Sequence, residues 1–425
     1  MIYIGLTRPS SNGGCAKGPH SMIATTQWSA YVPMGLVGAA LWGLWVYRII
    51  TSHRTRPVEN DFRTTTSVVV PSYREDPEIL MMCLATWLAA EPTEILVVVD
   101  IDDLECQEAL AAIADPRLRP IIFRHQGKRS AMGVGIREST SEIIVFSDSD
   151  TMWDEGLLEA IQMPFADLQV GAVGTQQHVY QRTSSVWRRL ADWMMDLRYY
   201  DYVPTMSRHG GVICISGRTA AYRRSAVLPV VDQLEHETFL GKQCVAGDDG
   251  RLTWLILAQG LSTVHQSSAN AHSMFPATFR GFVRQRVRWG RNSARTYLTA
   301  MWHRWLWRTT FISQITAIQI LLTPITMSLS FLYLVSRVNI VHPLTIILAV
   351  AWVLVGRAIR SWSHLKRHPR DILWLPLYAL VVIFLAIPLK AYAIATMNRQ
   401  GWLTRSSSHM GGEGQLATSL LPDLE

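Results

Sequence analysis

The chain is short of charge: 17% of its 425 residues are Asp, Glu, Lys or Arg, while 49% are hydrophobic. That balance is too apolar for two ordinary soluble domains, so part of the chain is expected in a bilayer. Cysteine is scarce as well. The five present, Cys15, Cys83, Cys106, Cys214 and Cys244, are an odd number with no Cys-x-x-Cys pair. They indicate neither a disulfide framework nor a zinc site, and suit a reducing compartment. Residues 1–29 lack a basic start beside a short apolar core and a clear cleavage site. They do not read as a secretory signal and are expected to be a flexible extracytoplasmic tail. His125, His178, His209, His265 and His272 show no metal-ligand spacing, no Ser-His-Asp order can be assigned, and Ser216-Gly217 resembles no nucleophile elbow, so hydrolysis is not indicated. The formal charge of +7 is concentrated beside apolar runs, as at cytoplasmic membrane flanks, and no nucleic-acid partner is expected.

What is present falls into blocks. Residues 30–50 are almost uninterruptedly apolar, close to the roughly 20 residues a helix needs to cross a hydrocarbon core. They run into Arg48, His53, Arg54 and Arg56, which places the next segment of the chain in the cytoplasm. Short β-branched runs then appear at Ser67–Pro71, Glu94–Asp100 and Glu142–Asp148, the first two separated by a helical stretch from Glu78 to Ala90. Apolar strands alternating with helices predict an α/β fold with a mostly parallel sheet, whose ligands gather at the carboxyl ends of strands. This cytosolic domain is expected over 60–275, with a helix at Ser185–Tyr202 and strands at Gly211–Ser216 and Ser262–His265 in its later part. Residues 276–308 alternate arginine with aromatic side chains and predict amphipathic interfacial helices. A transmembrane hairpin is expected over 311–357, from the apolar runs Phe311–Ser336 and Ile340–Val355. Arg357, Arg360, Lys366, Arg367 and Arg370 return the chain to the cytoplasm. Residues 372–398 read either as a further span, exporting Arg399 and Arg405, or as a re-entrant or interfacial helix broken near Pro376 and Pro388. The second reading is preferred, with a flexible tail over 406–425.

The candidate chemistry is acidic. Asp148-Ser149-Asp150 places two carboxylates at i and i+2, on one side of an extended strand, and converging hard oxygens are what Mg²⁺ or Mn²⁺ needs. Asp100 ends another apolar strand and can accept from a nucleotide, whereas Asp102 and Asp103 read as a polar loop. Lys128, in His125-Gln126-Gly127-Lys128-Arg129, offers a point charge to a diphosphate; the alternative is a solvent-facing lysine. Gly247-Asp248-Asp249 offers a general base, if the site desolvates it enough to raise its pKa. In Gln285-Arg286-Val287-Arg288-Trp289, Arg288 can stabilise a departing phosphate and Trp289 can wall or stack on a sugar, with plain interfacial anchoring as the alternative.

In this order the motifs resemble the membrane-embedded family 2 glycosyltransferases, particularly the hyaluronan synthases, with chitin-oligosaccharide and cellulose synthases further off. The matching stretches are Val70–Asp76, Gly127–Arg129, Ser147–Thr151, Cys214–Gly217 with Tyr222–Arg224, Thr238–Gly241, Gly247–Asp249, Gln285–Trp289, Pro388–Asn398 and Gly401–Arg405. The resemblance covers about residues 66–405. It implies a GT-A type domain that uses a UDP-sugar with Mg²⁺ or Mn²⁺ and inverts the anomeric centre. Carried over, Tyr73, Asp100, Lys128 and Asp148 contact the nucleotide, with Asp150, and Asp148 beside it, at the metal. Asp249 is the base, and Ser216, Gly217, Asp248, Gln285 and Trp289 face the acceptor. Arg288 meets the diphosphate, and Trp402, Thr404 and Arg405 belong to a gating loop over 399–405.

Three departures stand out. Gly250 is inserted between Asp249 and Arg251, Arg218 stands where hyaluronan synthases tend to carry proline, and the chain ends soon after Arg405 without their final transmembrane hairpin. A single protomer is then expected to lack a complete polymer channel, which leaves a homo-oligomer as one arrangement. The expected protein sits in the plasma membrane with its N-terminus outside and its C-terminus cytoplasmic. It elongates a β-linked polysaccharide or oligosaccharide from a UDP-sugar at the cytoplasmic face, amid membrane lipids. Single-sugar transfer to a lipid acceptor, or an inactive nucleotide-sensing regulator, are the alternatives.

Overall fold

The computed structural model describes residues 38–124, 126–337 and 343–399. Two units divide the chain, Met1–Arg48 and Ile49–Glu425. The described part of the first is helical from residue 38, and the earlier residues of the span expected over 30–50 lie outside the described residues. The second unit carries the sheet and the acidic motifs.

Its centre is an eight-stranded sheet in the order β3-β2-β1-β4-β7-β6-β10-β5. The strands are β1 (Thr66–Ser72), β2 (Glu94–Asp100), β3 (Leu118–Phe123), β4 (Ile143–Ser147), β5 (Thr151–Trp153), β6 (Val170–Val179), β7 (Thr219–Arg223) and β10 (Ser262–Ser273); β8 (Thr238–Phe239) and β9 (Lys242–Gln243) form a separate small hairpin. Neighbours from β3 to β4 run parallel, as do β6 and β10, while β7 is antiparallel to both its neighbours and β5 to β10. The helices that matter are α1 (Pro77–Ala89), α2 (Lys128–Glu138), α3 (Leu157–Gln162), α4 (Val186–Asp196), α5 (Asp248–Ala258), α6 (Phe279–Trp302), α7 (Phe311–Arg337), α8 (Pro343–Arg360), α9 (Trp362–Arg367) and α10 (Ala386–Ala395).

The β-branched runs become strands because helices cover both sheet faces, so successive side chains are all buried. Val68 and Val70 join Val97, Val99 and Val145 in one layer with Leu80, Leu84 and Trp87 of α1. The Asp76 side chain caps α1 by accepting from the Glu78 amide at 2.9 Å, and Pro77 opens the helix with its φ already set. Val69 faces the other way, onto Gly135 of α2.

Several expectations needed correction. Gly211–Ser216 is a loop, joined to the sheet by a bridge between Gly211 and Thr263 and by the Thr263 hydroxyl donating to the Val212 carbonyl at 2.8 Å. The strand expected at Ser262–His265 continues to Ser273. β6 gave little signal because its buried middle is polar: Gln176 and Gln177 are 1% exposed, and Gln176 satisfies its carbonyl on His265 at 3.1 Å. Asp148 to Thr151 forms a tight turn rather than extended strand, closed by the Thr151 amide donating to the Asp148 carbonyl at 3.1 Å.

Beyond the sheet, the basic aromatic stretch is one long helix, α6, packed on protein along two sides: Thr296 meets Gly250 of α5, and Gly290 meets Ala393 of α10. Two helical runs, Phe311–Leu332 and Pro369–Ala395, are long and apolar enough to cross a membrane by length and composition, and point to membrane association. The second run is continuous but irregular, with a π-turn at Val381–Leu385. That irregularity lies just before Pro388, whose missing N–H and ring disturb the preceding turn. Leu322, Ile325, Leu329, Leu344, Ile347, Trp352 and Val355 of α7 and α8 are exposed, an apolar surface that water does not favour.

A methyl group built on Gly135 would lie 2.2 Å from Val69 Cγ1. Gly135→Ala should therefore overpack the α2–β1 contact and destabilise the domain by about 1–3 kcal/mol. Thermal unfolding of the detergent-solubilised chain measures it.

Candidate active site

Lys128 opens α2, after Gly127 has turned the chain with a φ of 116° that only glycine adopts easily. Its ammonium lies 2.7 Å from Asp148 Oδ1 and 3.0 Å from Asp248 Oδ2, joining the end of β4 to the start of α5. Burial alone would lower the Lys128 pKa, but the two carboxylates outweigh it and hold the ammonium protonated. Burial would likewise raise Asp248, and Lys128 reverses that, keeping Asp248 ionised.

Asp249 is treated differently. Burial and the neighbouring Asp248 charge raise its pKa above the usual carboxylate range, opposed by the Gly250 amide, which donates to Asp249 Oδ1 at 2.7 Å. Two adjacent carboxylates thus have pKa values pushed in opposite directions, which separates a structural anion from a potential base. The Cys214 thiol lies 3.9 Å from Asp249 Oδ2; its own pKa is pushed up to about 11 by burial and by Asp249, so it stays a neutral neighbour.

The local sequence explains the placement. Gly247, at φ 85°, leads directly into α5, putting Asp248 and Asp249 in the first turn, where the helix dipole favours negative charge. Gly250 is required by close approach, since a Cβ there would meet Thr296 Oγ1 of α6 at 2.9 Å. Gly217 is also closely packed, its would-be Cβ 3.2 Å from Asp248 Oδ2 and 3.5 Å from Lys128 Nζ. The turn after β4 is pinned by Ser149, whose hydroxyl donates to the buried Glu75 at 2.7 Å, and by the Asp148 amide donating to the Arg218 carbonyl at 2.9 Å.

The structure brings together Lys128, Asp148, Gly217, Asp248 and Asp249, with Asp150 on the same turn as Asp148 and Ser216 beside Gly217. Tyr73 and Asp100 stand at or just past the carboxyl ends of β1 and β2, along the same sheet edge. Gln285, Arg288 and Trp289 share one face of α6 by their spacing. Trp402, Thr404 and Arg405 lie outside the described residues, as does His125.

Arg218 and Arg286 were given no role by sequence reasoning, and they alter the picture of Trp289. The Arg218 guanidinium lies 4.3 Å from the Phe275 ring and 4.9 Å from that of Trp289, and the Arg286 guanidinium lies 4.8 Å from both Phe282 and Trp289. Trp289 is therefore a platform for two cations in this structure. Burial and the nearby Arg218 push Arg286 down to about 9. The signal was the departure at Arg218 together with the second arginine inside Gln285–Trp289.

The Asp148 and Asp150 carboxylates fit a divalent cation by donor type: hard oxygens, partly exposed, on a turn pinned by Ser149. Asp148 is held there by Lys128, the kind of point charge that also meets a phosphate.

This geometry has relatives. The family model described as "Glycosyltransferase like family 2" matches residues 63–292. An N-acetylglucosaminyltransferase of Mesorhizobium japonicum is 30% identical over 350 residues, covering 80% of this chain and 82% of that protein. One of Rhizobium meliloti is 31% identical over 368 residues, covering 83% and 84%. Among solved structures, a mannosyltransferase from Pyrobaculum calidifontis in complex with GDP-Man and Mn²⁺ superposes with a TM-score of 0.55 at 18% identity, over 85% of this chain and 96% of that one. That likeness is one of fold, the GT-A-like mixed sheet. The matched segment runs from just before β1 into α6 and so carries every one of the clustered carboxylates, which makes the chain a member of the family 2 glycosyltransferases.

Proposed function

We propose that the chain is an inverting transferase that takes N-acetylglucosamine from UDP and adds it to a β-linked oligosaccharide or polysaccharide, at the cytoplasmic face of a membrane. The observation that carries this is the opposed pair Asp248 and Asp249, with Lys128 bridging Asp248 to the carboxylate turn. The sugar is supported by the relatives, N-acetylglucosaminyltransferases at about 30% identity. The membrane is supported by the two apolar helical runs and the exposed apolar faces of α7 and α8. The segment over 372–398 stays a re-entrant or interfacial helix in this reading, and the whole follows the hyaluronan synthase pattern in its motifs.

In the reaction, Asp249 accepts the proton of the acceptor hydroxyl, whose oxygen bonds to the anomeric carbon as the bond from that carbon to the diphosphate oxygen breaks. Tyr73 and Asp100 hold the nucleotide end, and Lys128 and Arg288 draw the diphosphate by charge. Asp148 and Asp150 would hold Mg²⁺ or Mn²⁺, which when bound would supply charge neutralisation to the leaving UDP. Asp248, kept anionic, holds Lys128 in place and raises the basicity of Asp249. Gly217 lets its loop pack closely against both carboxylates, and Ser216, Gln285 and Trp289 line the acceptor side in this reading.

Asp249→Asn should lower transfer by roughly 10²–10⁴-fold while leaving UDP affinity within a few-fold of wild type; turnover near wild type would remove Asp249 from this role. Because the Asp249 pKa is raised and the base works ionised, transfer should fall on acidification at a higher pH than an ordinary carboxylate would give. A pH profile of kcat/KM between about pH 4 and 8 reads that limb directly. Incubation with radiolabelled UDP-N-acetylglucosamine and Mn²⁺ should give a ladder of products. One lipid-soluble species would mean single transfer to a lipid, and no UDP release would mean a nucleotide-sensing protein.

A further inference from the structure

A second group of buried ionisable side chains joins α4 to α9. Asp192 and Asp196 are one helical turn apart at the end of α4, and His364 and His368 are one turn apart on α9 and its C-cap. Each pair therefore projects from one helix face. His364 is fully buried, and the two aspartates are each 4% exposed. One nitrogen from each histidine and one oxygen from each aspartate lie within 4.8 Å of one another.

Two features of this group favour a cation. His364 Nε2 is 3.0 Å from Asp371 Oδ2, and its Nδ1 is 2.8 Å from Asp196 Oδ2. A neutral imidazole has one N–H; if Nε2 donates to Asp371, Nδ1 turns a lone pair toward a carboxylate oxygen, and the two repel unless something positive stands between them. His368 Nε2 is 3.9 Å from an oxygen of Asp192 and equally 3.9 Å from one of Asp196. That is too long for a hydrogen bond to either, and about half an ångström beyond the roughly 3.3–3.4 Å between donors on a tetrahedral ion with ~2.0–2.1 Å bonds, so a small side-chain rotation brings all three onto one ion.

The surroundings suit such an ion. Asp371 is gripped by Arg182 and Arg189, giving His364 the fixed carboxylate behind its far nitrogen that commonly orients a ligating imidazole. Arg182 also reaches Asp192 at 2.5 Å, and Arg367 lies 3.4 Å from Asp196. These three guanidiniums face Asp192, Asp196 and Asp371 and leave the two imidazoles as the nitrogen donors of the group.

We propose that Asp192, Asp196, His364 and His368 form a structural site for one first-row divalent ion, zinc by its two-nitrogen, two-oxygen donor set, which clips α9 to α4. The spacing was present in the sequence, as Asp-x-x-x-Asp and His-x-x-x-His on helices far apart in the chain. None of these residues is shared with the Asp148–Asp150 turn. A proton on His364 is the competitor for the same gap.

The full chain, purified in detergent from zinc-replete cells and freed of loose metal by gel filtration, should carry about one zinc per chain by elemental analysis. His368→Ala should lose at least about nine-tenths of it, while Asp150→Asn retains it. Cobalt exchanged into the wild type should give the visible d–d absorption of a four-coordinate ion, a readout that needs no variant to fold. Wild-type protein without stoichiometric metal, a cobalt spectrum matching the aqueous ion, or unchanged zinc in His368→Ala would each overturn the site.

Discussion

Lys128 brings one positive charge into a space bounded by carboxylates from two different elements, and the geometry of the catalytic face depends on that charge. Without it, Asp148 at the end of β4 and Asp248 at the start of α5 would face each other as like charges in a poorly hydrated space. With it, one helix start is tied to a strand end and to another helix start at once. A buried ion pair of this kind adds little net stability, because desolvation offsets attraction, but it fixes register strongly. Register is what a transferase of this kind needs, since donor and acceptor must meet with their reacting atoms about 3–3.5 Å apart.

The same economy appears in the carboxylate pair. Asp248 and Asp249 are neighbours in sequence and chemically alike, yet one faces an ammonium and the other faces a thiol and a single backbone amide. Environment alone divides their roles. Around them the charge is of opposite sign: Arg218 and Arg286 crowd Trp289, with Arg288 on the same helix, making the surroundings of Trp289 more cationic than a bare tryptophan wall.

Much of this was legible in the chain. The valine-rich runs of β1, β2 and β4 announce themselves because nearly every residue is buried, and the acidic residues follow such runs where ligands collect. Lys128, Asp148, Asp248 and Asp249 could be named from their motifs, although the bridge between them could not. β6 was hard to read because its buried middle is polar, and the carbonyl of Gln176 is paired only through His265, 89 positions away, which local hydropathy does not record. The Asp148–Thr151 turn was misread as strand for a related reason: the Ser149–Glu75 bond that bends it connects residues 74 positions apart. Arg218 could be seen as a departure, but its stacking on Trp289 depends on how α6 crosses the loop after Cys214.

The glycines at the α5–α6 crossing have a mechanical meaning. Gly247 and Gly250 face Asn292 and Thr296 with no side chain of their own to cushion the contact, and Gly290, further back on α6, meets Ala393 of α10 in the same way. Close-packed matter of this kind is nearly incompressible. Asp249, the proposed base, therefore rides on a closely packed column running from the apolar run at Pro369–Ala395 through α6 to the first turn of α5. In the proposed reaction, that column couples the position of the apolar run to the position of the base.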